Sequence, residues 1–156
     1  MPLLLVLLLT AITAAQRPTD IVRWSASAPS KAVAAGATAT IELTAKIEDG
    51  WKLYALVQPK GGPVPLEILL GKGSAFTLVQ KQITGPLPKL QHDDTFKVET
   101  QYYEREAAFT VPVTVPKTAS SRKQQVPIEV TFQACGAEIC LRPFTHRLNV
   151  DINVSR

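Results

Sequence analysis

Apolar and polar residues alternate with a period of two along much of the chain. Over residues 37–47, Ala39, Ile41, Leu43, Ala45 and Ile47 fall on one side and Thr38, Thr40, Glu42, Thr44 and Lys46 on the other. That is the pattern of a strand with one buried face. Residues 51–57 read as a return strand, with Trp51, Leu53 and Ala55 opposite Lys52, Tyr54 and Leu56. Asp49-Gly50 between them is a hairpin signal, so the two runs are expected to pair. Further strands are expected at residues 21–28, 66–70, 75–83, 96–103, 107–115, 126–133 and 144–154. Residues 17–20 read as a tail, 29–36 as a turn, and 59–65, 85–88 and 116–125 as connections. Residues 89–95 read as a polar loop. No stretch shows a convincing helical period. Short strands separated by frequent turn signals predict an all-β fold, an immunoglobulin-like antiparallel β-sandwich.

The amino terminus breaks this pattern. Leu3, Leu4, Leu5, Val6, Leu7, Leu8 and Leu9 form a short apolar run, and Thr13-Ala14-Ala15 is a small-residue cleavage context. Residues 1–15 are expected to be a secretory signal peptide, although no Lys or Arg precedes the apolar run. The run is too short for a permanent span, and no later stretch is apolar enough for one. Residues 16–156 are then one exported domain, periplasmic or secreted, with no membrane span after signal cleavage. The net charge of +4 arises from 17 basic and 13 acidic residues. The basic residues are scattered, which argues against a nucleic-acid-binding stripe.

Export places the chain in an oxidising compartment, where its two cysteines are expected to pair. Cys135 and Cys140 lie on the connection between the last two expected strands, and Gly136 gives that connection backbone freedom. A ring this small constrains the unfolded chain by only about 2 kcal/mol in the loop-entropy model. A long ring would do more for stability, so the spacing favours an exchanging disulfide. Labile disulfides are the strained or exposed ones. Two other readings stay open. One is an inert staple in a non-catalytic, immunoglobulin-like binding module. The other is a metal site helped by His92 and His146, which is the weakest because structural zinc usually takes four ligands with close cysteine pairs.

Three blocks carry a family resemblance. They are Phe132-Gln133-Ala134-Cys135 with Cys140-Leu141-Arg142-Pro143, the run Asp49-Gly50-Trp51-Lys52-Leu53-Tyr54, and Asp93-Asp94-Thr95-Phe96 followed by Glu99 and Tyr102-Tyr103. Their order and spacing resemble the periplasmic N-terminal domain of DsbD, a bacterial thiol–disulfide interchange protein. The cysteine block is the most specific. The resemblance implies an immunoglobulin-like sandwich that takes reducing equivalents from a thioredoxin-like domain and passes them to thioredoxin-fold partners. It implies a thiol–disulfide oxidoreductase whose only cofactor is the Cys135–Cys140 disulfide. In this reading Cys140 forms the mixed disulfide and Cys135 resolves it. Phe96 matches the aromatic of a cap loop, Asp94 an acid beside it, and Tyr54 a tyrosine of the early hairpin. Arg142, and less strongly His146, stand where positive charge would favour a thiolate. The cysteine spacing is one residue shorter than in the best-known members, and Thr95 stands where a second acid is expected. Members are usually fused to a membrane-embedded electron carrier and a thioredoxin-like domain, and neither lies within these residues.

Overall fold

A computed structural model describes residues 17–155. The expected signal peptide lies outside the described residues. A helical turn, Pro18–Ile21, opens the description where a tail was expected, with proline in its first turn and Ile21 buried. Twelve strands follow. They are β1 (Val22–Ser27), β2 (Val33–Ala34), β3 (Thr38–Ile47), β4 (Lys52–Tyr54), β5 (Glu67–Leu70), β6 (Thr77–Leu78), β7 (Lys89–Asp93), β8 (Val98–Tyr103), β9 (Glu106–Thr114), β10 (Lys123–Phe132), β11 (Ala134–Cys135) and β12 (Phe144–Ser155).

The strongest alternation builds the longest strands. Every second residue of β3 from Ala39 to Ile47 is buried, while Thr38, Thr40, Glu42 and Lys46 face solvent. β1 and β9 flank β3, both antiparallel, and β6 continues that sheet beyond β9. β10 and β12 pair from Lys123↔Asn153 to Phe132↔Phe144, with β5 on the other edge of β10. β2 joins β12 through Val154↔Val33, the one parallel pairing among the described strands. A third sheet has the order β11-β4-β8-β7. All three sheets contribute to one apolar core, with Trp24 packing between Phe109 and Phe132. The fold is an all-β, immunoglobulin-like sandwich.

Three local expectations are corrected. β3 and β4 do not form a hairpin: both edges of β3 are occupied by β1 and β9, and β4 pairs with β8 and β11. The Asp49-Gly50 turn is present, with Gly50 at φ 81° and the Trp51 N–H donating to the Glu48 carbonyl at 3.1 Å. It reverses the chain, but the returning segment joins a different sheet. A turn signal encodes reversal and says nothing of which edge is free. The second correction concerns residues 89–95, whose first part is β7, an edge strand paired from Lys89↔Tyr102 to Asp93↔Val98. Its residues are largely exposed, so no buried face imposes an apolar alternation. The 75–83 run is also broken, into the short β6 and a 3₁₀ turn at Gln80–Gln82.

Candidate functional site: the disulfide and its cap

β10 and β11 are one chain path that changes partners at Gln133. The Gln133 side chain fixes that change: its Nε2 donates to the Leu141 carbonyl at 3.2 Å, and its Oε1 accepts from the Val64 N–H at 2.9 Å. Beyond it the chain turns in a tight hairpin with Ala137 and Glu138 at the tip. The Gly136 N–H donates to the Ile139 carbonyl at 2.8 Å, and the Leu141 N–H to the Ala134 carbonyl at 2.9 Å. This brings Cys135 and Cys140 into register, with Cα atoms 4.0 Å apart and the sulfurs bonded. The buried Trp51 ring packs against Gly136. The two halves of the disulfide differ in access: Cys135 is 4% exposed, whereas Cys140 is half-buried.

The sheet β11-β4-β8-β7 divides its side chains between two tasks. Leu53, Tyr103 and Ala134 share one face and enter the sandwich core. The opposite face carries Lys52, Tyr54, Tyr102 and Cys135, following the period of two. Tyr54, Tyr102 and Cys135 form a separate buried cluster, and Phe96 and Cys140 pack against it.

Phe96 reaches this cluster from the tip of the β7–β8 hairpin. Asp93 organises the tip. Its Oδ1 accepts from the N–H groups of Thr95 and Phe96 at 2.9 and 3.3 Å, its carbonyl accepts from the Lys97 N–H at 2.7 Å, and Lys97 takes a left-handed φ of 59°. The other carboxylate oxygen of Asp93 accepts from the Tyr54 hydroxyl at 2.8 Å. The Tyr54 and Phe96 rings meet edge to face, with centroids 5.9 Å apart. Burial, then the bond to Asp93 and its charge, push the Tyr54 hydroxyl far above its ordinary value, so it stays a donor. For Asp93, partial burial opposes ionisation. The bonds from Tyr54, Thr95 and Phe96 and the charge of Lys52 outweigh it and hold the carboxyl below its ordinary range.

The structure brings Cys135, Cys140, Tyr54 and Phe96 together. Asp94 lines the cleft beside the disulfide with its side chain turned to solvent, and Arg142 does not line it. The Asp94 side chain is 92% exposed, 3.9 Å from His92; the acid that meets Tyr54 is its neighbour Asp93. Arg142 is exposed on the segment after Cys140 and does not line the cleft beside the disulfide. His146 sits in β12 opposite Val130, and burial pushes its imidazole down, toward the neutral form. The lysine or arginine that does line the cleft is Lys52, the strand partner of Cys135. Among the described residues no cluster of three or more His, Cys, Asp or Glu side chains is placed to hold a metal ion, and no helix is long and apolar enough to cross a membrane.

Among solved structures, the N-terminal periplasmic domain of ScsB from Proteus mirabilis matches with a TM-score of 0.58 and 22% identity, covering 88% of this chain and 49% of that one. The chain thus spans about half the length of that protein's chain. The N-terminal domain of DsbD from Neisseria meningitidis, in its reduced form, matches with a TM-score of 0.53 and 17% identity, covering 88% of this chain and 90% of that one. At these identities the likeness establishes the shared fold. No curated protein matches the sequence. The family model of the N-terminal region of the thiol:disulfide interchange protein DsbD matches residues 22–152, which supports a role in thiol–disulfide exchange. The disulfide at the head of the sandwich, the β-fold around it and this match together place the chain in the DsbD N-terminal domain family.

Proposed function

We propose that this domain is a periplasmic thiol–disulfide oxidoreductase that relays reducing equivalents through Cys135 and Cys140 to thioredoxin-fold partners. The observation that carries the reading is the unequal access of the two cysteines beneath an aromatic cap: Cys140 is half-buried and Cys135 nearly inaccessible. In the reduced domain the Cys140 thiolate attacks one sulfur of a partner disulfide. A mixed disulfide forms, and the partner's second sulfur leaves as a thiolate. The Cys135 thiolate then attacks the Cys140 sulfur. The Cys135–Cys140 bond closes and the partner leaves as a dithiol, having gained two electrons and two protons. A thioredoxin-like dithiol donor reverses the sequence to recharge the domain, again with Cys140 as the attacked sulfur.

The remaining residues hold and shield this pair. Phe96 packs against the cluster that Tyr54 forms with Cys135 and Tyr102, and Asp93 ties the Phe96 turn to the Tyr54 hydroxyl. We assign to Asp93 the role that the resemblance gave Asp94. In an oxidising compartment such a cap slows loss of electrons to small oxidants, and a docking partner has to displace it.

The test is the reduction potential of the pair, measured by equilibration in defined thiol buffers, alkylation and mass counting of modified cysteines. Exchange proteins fall at about −180 to −280 mV. A value there is expected. A value below about −300 mV, typical of structural disulfides, would overturn the relay and leave a binding module with an inert staple.

A further inference from the structure

When the Cys135–Cys140 bond is open, no covalent bond holds Cys140 beside Cys135. The resolving step still requires the two sulfurs to meet while a partner is attached to Cys140. The arm that carries Cys140 therefore has to stay docked by other means. Three hydrogen bonds cross the loop without involving sulfur. The Gly136 N–H donates to the Ile139 carbonyl at 2.8 Å, inside the ring, and the Leu141 N–H to the Ala134 carbonyl at 2.9 Å, just outside it. The third comes from a side chain: Gln133 Nε2 donates to the Leu141 carbonyl at 3.2 Å. Leu141 directly follows Cys140, so this bond holds the arm at the residue next to the more accessible sulfur.

Gln133 can hold that arm because it is itself held. Its backbone carbonyl accepts from the Tyr54 N–H of β4 at 3.2 Å, and its Oε1 accepts from the Val64 N–H at 2.9 Å. Val64 stands between Pro63 and Pro65, which restrict the backbone around it. This anchor also fixes the sense of the amide. The oxygen can only accept and the NH2 group can only donate, so the side chain cannot turn over without losing both bonds. Gln133 thus ties β4, the proline-rich loop and the Cys140 arm together.

From this geometry we infer that Gln133 is a positioning residue that keeps the Cys140 arm docked when the disulfide is open, so that Cys135 can close the ring. The inference rests on the exchange reading. The disulfide and the Gln133 side chain hold the same arm. With the sulfurs bonded, the arm cannot leave, and loss of the Gln133 bond is felt in full. With the sulfurs free, the arm escapes part of that loss by moving away. Removing the bond therefore favours the dithiol, and an arm that moves presents Cys140 to Cys135 less often. One such hydrogen bond contributes a factor of about two to ten.

The test reads ring closure directly. Reduced protein is mixed in a stopped-flow instrument with one equivalent of an aromatic disulfide, dithiobis(nitrobenzoic acid). Attack by the Cys140 thiolate releases one coloured thionitrobenzoate and leaves the other joined to Cys140 as a mixed disulfide. Attack by the Cys135 thiolate on the Cys140 sulfur closes the protein disulfide and releases the second. In Gln133→Met the first release should keep its wild-type rate, and the second should slow about two- to tenfold. The same factor should make the reduction potential about 10–30 mV less negative, at about 30 mV per tenfold. Gln133→Glu keeps an acceptor for the Val64 N–H and loses the donor to Leu141, so it should slow the second release as well. Near-ultraviolet circular dichroism identifies any variant that has lost its fold. A second release at the wild-type rate in either folded variant, or a first release slowed as much as the second, would overturn the inference. Failure of both variants to fold would also overturn it, by making Gln133 a residue of the sandwich alone. The readout compares variant with wild type and needs no partner protein, so failure of the exchange reading registers separately, in the wild-type reduction potential.

Discussion

Leu53 and Lys52 are neighbours on one three-residue strand, yet they belong to different parts of the molecule. Leu53 is 0% exposed and packs with Tyr103 and Ala134 into the core that holds the sheets together. Lys52 shares the opposite face with Tyr54, Tyr102 and Cys135. The pleat alone makes this separation, because successive side chains leave a strand on opposite sides. One face is stabilised by burial of aliphatic and aromatic surface. The other assembles a disulfide, a carboxylate, a lysine and an aromatic cap. The two faces should therefore fail in different ways when cut.

The largest loss of stability is expected on the core face. Leu53→Ala should cost about 2–5 kcal/mol, from lost burial and the cavity left behind. Denaturant unfolding would measure it, and the reduction potential of the folded fraction should remain near the wild-type value. A potential that moves with Leu53 would mean that the two faces are coupled. Cys140→Ala ranks next for stability and reverses the outcome. Opening so short a ring should cost about 2 kcal/mol or less, while exchange with a disulfide substrate should be abolished. If Cys140→Ala unfolds the domain instead, the disulfide is a staple and the comparison collapses.

The same division explains what could be read in the sequence. β3, β9, β10 and β12 were legible because one face of each is buried and the other wet, so the alternation is written in the residues themselves. β7 was not legible: it is an edge strand exposed on nearly every residue, and hydropathy has nothing to alternate. The cysteines, Tyr54 and Phe96 stood out through spacing and resemblance. The choice between Asp93 and Asp94 could not be made from composition, since two adjacent carboxylates differ only in direction. The β7 register separates them, by placing Asp93 on the side of Gln91 and Tyr54. Lys52 was hidden by the assumption that the polar face of a strand is the wet face. A usable signal was present, because Lys52 lies two residues before Tyr54, and residues i and i+2 share a face.

A smaller effect is expected at the cap. Phe96 is half-buried, and Phe96→Ala removes its edge-to-face contact with Tyr54, a pair worth about 0.5–1.5 kcal/mol beyond its buried area. The more informative readout is access. Reduced Phe96→Ala protein should lose its thiols to a small alkylating agent several-fold faster than wild type, with the thiol titration little changed. Equal rates would remove Phe96 from the shield and leave it a packing residue.

The smallest effect concerns the bond that joins the two arms of the site. Tyr54→Phe deletes the hydroxyl that donates to Asp93 and should cost about 1 kcal/mol. Its signature is a pH dependence. The Asp93 carboxyl is held below its ordinary value of 3.8 in the folded domain, so at acid pH the unfolded turn binds protons more readily. The stabilisation is present in full above 3.8 and is lost as the pH falls through the lower, folded value. The Thr95 amide, which donates to Asp93, reports this directly. Its proton chemical shift should titrate with a midpoint under 3.8 in the wild type, and Tyr54→Phe should move that midpoint upward. A wild-type midpoint at or above the ordinary value would mean that burial outweighs the hydrogen bonds. The cap turn would then be held by packing of Phe96 rather than by its carboxylate.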